Sequence, residues 1–195
     1  MGERERFIRL VNTNESKALR HMFFAERQTT KVPGVPDDTP VRPIRKAAVV
    51  GAGTMGGGIA MCFANAGIPV TLLDTTQQAL DKGLARIKSN YAATVEKGRL
   101  VQSDMDKRMA LIHGNINLGK AADADIVVEA VFERMDVKQD LFKKLDGIVQ
   151  QGAILATNTS TLDVDEIAAA TTRPEEVVGT HFFSPWNVMR LLEVE

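Results

Sequence analysis

The chain has 195 residues, with 24 Lys and Arg against 25 Asp and Glu, a net charge of −1 and a hydrophobic fraction of 44%. That balance excludes attachment to nucleic acid or an anionic membrane by bulk charge, and the composition excludes disorder over most of the length. A single cysteine, Cys62, excludes an internal disulfide and a cysteine-built metal site, and His21, His113 and His181 are too scattered for a metal motif.

The N-terminus is charged from Glu3, unlike a secretory signal, and Met1-Gly2 lacks the Ser or Thr of a myristoylation motif. Residues 14–27 predict a helix capped by Asn14 or Ser16, with Leu19, Met22 and Phe23 at helical spacing. So short a helix is marginal alone, so its apolar side, with Phe23 and Phe24, is expected to dock on a partner domain. Pro33, Pro36, Pro40 and Pro43 then exclude helix and central strand, and residues 28–44 read as a linker. Residues 1–44 are thus a connector and 45–195 a domain. Charge follows the same division, with net +4 over residues 1–46 and −5 over 47–195.

Residues 47–73 carry no charge, which by length alone suggests a membrane span. Six glycines, Asn65 and Pro69 break the run, and it reads as strand, turn, helix and strand. The strands are Ala47–Val50 and Val70–Leu73. The helix between them, Thr54–Ala66, carries Met55, Ile59, Cys62, Phe63 and Ala66 on one face and stops at Gly67. A long helix follows from Thr76 to about Lys97 with Leu80, Leu84, Ile87 and Tyr91 in one stripe, then a helix over 104–112. The remaining pattern is strand 126–128, helix 136–149, strand 153–156, helix 163–170 and strand 177–183. Short apolar strands alternating with helices predict an α/β, Rossmann-type doubly wound, mostly parallel sheet preceded by a linker helix. The chain stops in mid-pattern at Leu191–Glu195, which suggests a piece of a longer protein, cut at both ends.

Gly51-Ala52-Gly53-Thr54-Met55-Gly56 is G-x-G-x-x-G, follows an apolar strand and opens a helix. The next strand ends in Asp74, 23 residues after the first glycine. Gly51 permits the tight turn, Gly53 a close backbone approach to a diphosphate, and Gly56 close packing of helix on strand. The helix start offers free N–H groups and a positive dipole end. Asp74 suits the adenosine ribose hydroxyls and repels a 2′-phosphate. No Arg follows it, so NAD is expected over NADP.

Ligands of open α/β sheets bind beyond the carboxyl ends of the strands. Three segments belong there: Glu129–Glu133 with Lys138 beyond it, Thr157–Ser160, and Gly179–Pro185. His181 suits proton exchange with a hydroxyl near neutral pH, and Glu193, twelve residues on, could orient its ring if a turn near Ser184–Pro185 brings it back. By pattern alone His181 is more often a structural residue, Glu193 a solvated edge charge, and Asn158 and Ser160 a turn or helix cap. His21 and His113 read as surface or packing residues.

Four stretches together resemble the NAD-binding domain of the 3-hydroxyacyl-CoA dehydrogenase family: VVGAGTMGGG at 49–58, IVVEAVF at 126–132, NTSTL at 158–162 and HFFSPWNVMRLLEV at 181–194. SKALRHMFFAER at 16–27 resembles the connector of multifunctional β-oxidation enzymes, between an enoyl-CoA hydratase/isomerase domain and the dehydrogenase. The resemblance implies NAD-dependent oxidation of a (3S)-hydroxyacyl-CoA to a 3-ketoacyl-CoA. It makes His181 the catalytic base, Glu193 its partner and Ser160 the contact to substrate hydroxyl and nicotinamide. It implies cofactor contacts at Gly51, Gly53, Met55, Gly56, Asp74, Glu133, Lys138, Ser160 and Ser184, and through the backbone at Val131 and Phe132. Ser184 stands where many monofunctional members have Asn, and Trp186-Asn187 is unusual in that loop.

The same resemblance implies an acyl-CoA substrate, an absent hydratase and an absent C-terminal helical domain, with no nucleic-acid partner and no membrane span. The implied location is the cytoplasm of a bacterium, or a peroxisome in a eukaryote. Two other readings compete: a non-catalytic NAD-binding or assembly module, and a dehydrogenase of free hydroxy acids.

Overall fold

The structure is a computed structural model that describes residues 2–29, 31–36, 38–184, 189 and 191–195. It divides into two units, 1–42 and 43–195. The first holds α1 (Glu3–Val11) and α2 (Asn14–Gln28). Composition alone did not single out α1, yet Glu3 and Glu5 in its first turn and Arg9 in its last suit the helix dipole. Phe7 and Leu10 of α1 line one open cavity with Leu19 and Phe23 of α2, so part of the apolar side assigned to a partner domain faces α1. The N-cap of α2 is Thr13, not Asn14 or Ser16. Its extended backbone lets Oγ1 accept from Ser16 N–H at 3.2 Å. The described residues of 31–46 form neither helix nor strand.

The second unit runs β1 (Ala47–Val50), α3 (Thr54–Asn65), β2 (Val70–Leu73), α4 (Gln77–Glu96), α5 (Gln102–Ala110) and β3 (Ile112–Asn115), then β4 (Ile126–Glu129), α6 (Met135–Ile148), β5 (Ile154–Thr157), α7 (Val164–Ala168), β6 (Val177–Phe182) and β7 (Leu192–Val194). The strands form one sheet in the order β3-β2-β1-β4-β5-β6-β7, parallel except for the last pair. The order reverses between β1 and β4, the position where doubly wound sheets open a crevice.

Alternation along the strands builds two cores. Val49, Leu72, Val128 and Ala156 face Ile59, Leu80, Ile87 and Tyr91 on one side of the sheet. Ala48, Leu73, Val127 and Leu155 face Phe142, Leu145 and Ile167 on the other. The central strands β1, β2, β4 and β5 are buried on both faces, which explains why no polar residue interrupts β1 or most of β4. Among the described residues no helix is long and apolar enough to cross a membrane.

Three expectations change. Residues 104–112 are not one helix: α5 ends at Ala110, and Ile112 starts an edge strand parallel to β2. Edge position leaves His113 and Gly114 exposed, so β3 lacks the apolar run that marks a buried strand. The buried face of α3 is Gly56 to Met61 with Ala64, whereas Met55, Cys62 and Phe63 are only partly buried and Ala66 is exposed. Three consecutive glycines give the sheet and α4 access to most of this helix, so the stripe of bulky residues was a poor guide. The α4 stripe holds at Leu80, Ile87 and Tyr91, with Gly83 buried in it and Leu84 partly exposed.

Two contacts set the site's frame. Arg173, only 3% exposed, bonds Asp146 at 3.0 Å and the carbonyls of Val149 and Gln150 at 3.0 and 2.8 Å, tying the approach to β6 to the end of α6. At the other side α4 crosses the glycine turn at Gly83, where a Cβ would lie 2.5 Å from Ala52 O and 2.7 Å from Ala52 Cβ. In an ordinary helix Gly→Ala gains about 1 kcal/mol. Here overpacking against backbone costs about 1–3 kcal/mol, so Gly83→Ala should lower the urea midpoint rather than raise it.

Candidate active site

The turn after β1 depends on missing Cβ atoms. Gly51 has φ of 104°, a left-handed value, and a Cβ there would lie 2.5 Å from Ala130 O. A Cβ on Gly56 would lie 1.7 Å from Gly51 O, so helix and turn meet backbone to backbone. Gly53 differs: a Cβ there would meet nothing within 4 Å. It is the N-cap of α3 and supplies no side-chain cap, which leaves the helix start open to an external acceptor.

Asp74 closes over this turn. Its Oδ2 accepts from Ala52 N–H at 2.8 Å and its Oδ1 from Thr75 N–H at 2.7 Å. Arg86, which the sequence reading missed, donates from α4 to Thr54 Oγ1 at 2.8 Å and brings a cation to the same helix start. On the sequence it is one of many charges on an exposed helix side, and only the crossing at Gly83 explains its position.

Beyond β4, β5 and β6 the polar segments converge as expected. Met55, Val131, Glu133, Ser160, His181 and Ser184 line one cavity of about 330 Å³. The catalytic candidates thus share an edge with the glycine turn. Asn158 binds this edge together, its N–H donating to Glu129 O and its Oδ1 accepting from Phe182 N–H, both at 3.0 Å. Phe132 is 82% exposed, and Lys138 is fully buried behind the cavity. The loop at Pro185, Trp186 and Asn187, including the expected turn, lies outside the described residues.

His181 and Glu193 are brought together by strand pairing. In the antiparallel β6–β7 ladder they are direct partners, and His181 Nδ1 lies 2.9 Å from Glu193 Oε2. The ring also packs on Phe183, with centroids 4.5 Å apart. His181, Glu193 and Ser160 line a second, smaller cleft of about 60 Å³.

Glu133 is the most heavily engaged acid of the cavity. Its Oε1 accepts from Thr159 Oγ1 at 2.5 Å and Ser160 N–H at 2.8 Å, and Lys138 Nζ lies 3.2 Å from Oε2. Burial pushes its pKa up most strongly as a single influence. The Thr159 and Ser160 bonds and the Lys138 charge together outweigh it and lower the pKa from 4.5 to about 2. Behind it lie Glu129 and Thr157, both fully buried, to which the sequence reading gave no role. An acid ending an apolar strand, with a lysine nine residues on, was the available signal.

The family model described as "3-hydroxyacyl-CoA dehydrogenase, NAD binding domain" matches residues 46–195. The chain belongs to that family. It is 40% identical over 193 residues to a peroxisomal fatty acid beta-oxidation multifunctional protein of Arabidopsis thaliana, covering 98% of this chain and 27% of that protein. It is 42% identical over 198 residues to the peroxisomal bifunctional enzyme of Cavia porcellus, covering 100% of this chain and 27% of that one. The chain therefore spans about a quarter of the length of these relatives.

Among solved structures, (S)-3-hydroxybutyryl-CoA dehydrogenase from Ralstonia eutropha superposes with a TM-score of 0.76 at 38% identity, over 78% of this chain and 54% of that one. The dehydrogenase part of a multifunctional enzyme from C. elegans gives 0.74 at 33% identity, over 84% and 38%. These likenesses bear out the Rossmann-type fold, the family and NAD as cofactor.

The low pKa of Glu133 has a stability consequence. A carboxyl depressed on folding contributes stability above its unfolded value, lost as pH falls from about 4.5 to about 2. Wild type should exceed Glu133→Gln in urea midpoint at neutral pH, and the gap should close over that acid interval.

Proposed function

We propose that the chain is the cofactor-binding part of an enzyme that oxidises (3S)-hydroxyacyl-CoA to 3-ketoacyl-CoA with NAD in fatty acid β-oxidation. The observation that carries this reading is the His181–Glu193 pair, 2.9 Å apart, on an edge shared with Ser160 and the open glycine turn.

The residues present fit NAD. The space beside Gly53 and the uncapped start of α3 suit a diphosphate, and Gly51 and Gly56 leave the turn the shape this needs. Asp74 stands at the end of β2 for the ribose hydroxyls, and its carboxylate opposes a 2′-phosphate. Met55, Glu133, Ser160 and Ser184, with the backbone at Val131 and Phe132, would hold the nicotinamide end. When bound, NAD supplies the two-electron acceptor for the C3–H bond of the substrate.

The chain's own residues handle the proton. With Nδ1 directed at Glu193, the neutral ring leaves the Nε2 lone pair free to accept the hydroxyl proton from the substrate. Glu193 fixes the tautomer and stabilises the imidazolium that forms. Ser160, held by Glu133, orients the hydroxyl.

The substrate class and the multifunctional setting follow the names of the relatives, several of which are beta-oxidation multifunctional proteins. Acyl-CoA positioning would then fall largely to a helical domain beyond this chain, and a hydratase would be the other partner. Relatives named as peroxisomal or glyoxysomal support a peroxisome in a eukaryotic host. The cytoplasm is the corresponding site in a bacterium.

In the parent enzyme His181→Gln should lower kcat by ~10²–10⁴-fold and leave NAD affinity unchanged. An assembly module would be indifferent to the change, and a free-acid dehydrogenase would prefer hydroxy acids over their CoA thioesters in the same assay. The 195-residue chain should bind NAD yet reduce acetoacetyl-CoA far more slowly than its parent. Parent-like turnover by the chain alone would overturn the need for added positioning.

A further inference from the structure

Nothing in the chain balances the charge at the start of α3. Its N-cap, Gly53, brings no side chain, and its first turn holds no acidic residue. The unbonded N–H groups and the positive end of the helix dipole are therefore uncompensated. Asp74 beside them commits both oxygens to backbone N–H groups, Oδ2 to Ala52 and Oδ1 to Thr75.

Arg86 adds to this imbalance. Gly83 brings α4 against Ala52, and one turn on the Arg86 guanidinium donates to Thr54 Oγ1 at 2.8 Å. Among the described residues no carboxylate forms an ion pair with Arg86. Cations stabilise the C-terminal end of a helix, not the N-terminal end. Arg86 and Thr54 are both exposed, so the bond between them is a weak reason to fold this way. An anion at the same place gives the arrangement a purpose. Helix start and guanidinium would then act on it together, and a guanidinium with one N–H on Thr54 keeps other donors for phosphate oxygens. The net charge over 47–195 is −5, so a local cation counts for more in drawing an anion to this domain.

We propose that Arg86 is a further cofactor-binding residue, a cation on α4 that Thr54 aims at the diphosphate of NAD. This rests on the reading that the glycine turn takes that diphosphate.

The test uses calorimetry on the 195-residue chain with NAD, ADP-ribose and adenosine, at low and high salt. Arg86→Met keeps the stem and removes the charge. It should weaken NAD and ADP-ribose alike by about fivefold, one charge-assisted hydrogen bond reduced by exposure to water. Adenosine, which lacks phosphate, should bind as before. Arg86→Lys should come within about twofold of wild type, since it restores the charge without the planar fork. Added salt should weaken NAD less steeply in Arg86→Met than in wild type. Wild-type NAD affinity in Arg86→Met would overturn the proposal. Equal weakening of adenosine would also overturn it, because the loss would then lie in the shape of the site.

Thr54→Val should weaken NAD about twofold and add nothing further to Arg86→Met, because the residue it acts through is gone. Additive losses would make Thr54 a contact in its own right and overturn its part as the tether.

A readout without cofactor separates this from a structural role. With no anion present, the urea midpoint of Arg86→Met should equal or exceed that of wild type, since a cation leaves a positive helix end. A lower midpoint would make the Arg86–Thr54 bond a structural tie and overturn the proposal. Inorganic pyrophosphate should raise the midpoint of wild type more than that of Arg86→Met. A pyrophosphate effect indifferent to Arg86 overturns the proposal whether or not NAD binds. Failure of the wild-type chain to bind NAD, with the pyrophosphate effect still dependent on Arg86, overturns the cofactor reading alone.

Discussion

The backbone of the turn after β1 lies against the backbone that follows β4, so close that a Cβ on Gly51 would come within 2.5 Å of Ala130 O. This contact sits where the strand order reverses, and much of the site depends on it. It sets the turn, and so the start of α3, at the same level as the loop carrying Val131 and Glu133. Parallel register carries that level across the sheet: Val50 pairs with Glu129, Glu129 with Thr157, and Thr157 with Gly179. His181 then stands two residues further along, at the mouth of the same edge.

The charges of this edge divide by environment. Glu129 and Lys138 are removed from water and act at short range in a medium that screens them little. His181 and Glu193 are partly exposed, with side chains at 29% and 57%. Their pairing owes its geometry to the ladder more than to the attraction between them, since an exposed pair is worth ~0–1 kcal/mol. Dry groups that hold shape lie beneath accessible groups that can exchange a proton, an arrangement suited to proton transfer on a fixed platform. Arg173 plays a comparable anchoring part at the opposite end of the sheet, where its guanidinium gathers the carbonyls of Val149 and Gln150 just past the end of α6.

Much of this was legible in the sequence, for local reasons. The strand–turn–helix–strand unit around Gly51 to Asp74 is encoded by glycine spacing and apolar runs within a single segment, and its geometry follows from steric rules that act over a few residues. The strand-end residues could be nominated because parallel strands put their carboxyl ends on one edge. The edge strand β3 could not be read, because its IHGN sequence borrows its pairing from β2 and not from its own pattern. The face of α3 was misassigned because glycines bury a helix without any apolar stripe.

Sequence alone determined the fold class, the glycine turn and the acid after β2, and nominated the histidine and glutamate, each by short-range pattern or by family resemblance. Only the tertiary structure decided that His181 and Glu193 are direct partners, that Arg86 reaches Thr54, and that Lys138 is sealed between Glu129 and Glu133. Those facts depend on register and helix crossing, which bring together residues far apart in the chain and leave no periodic trace in it.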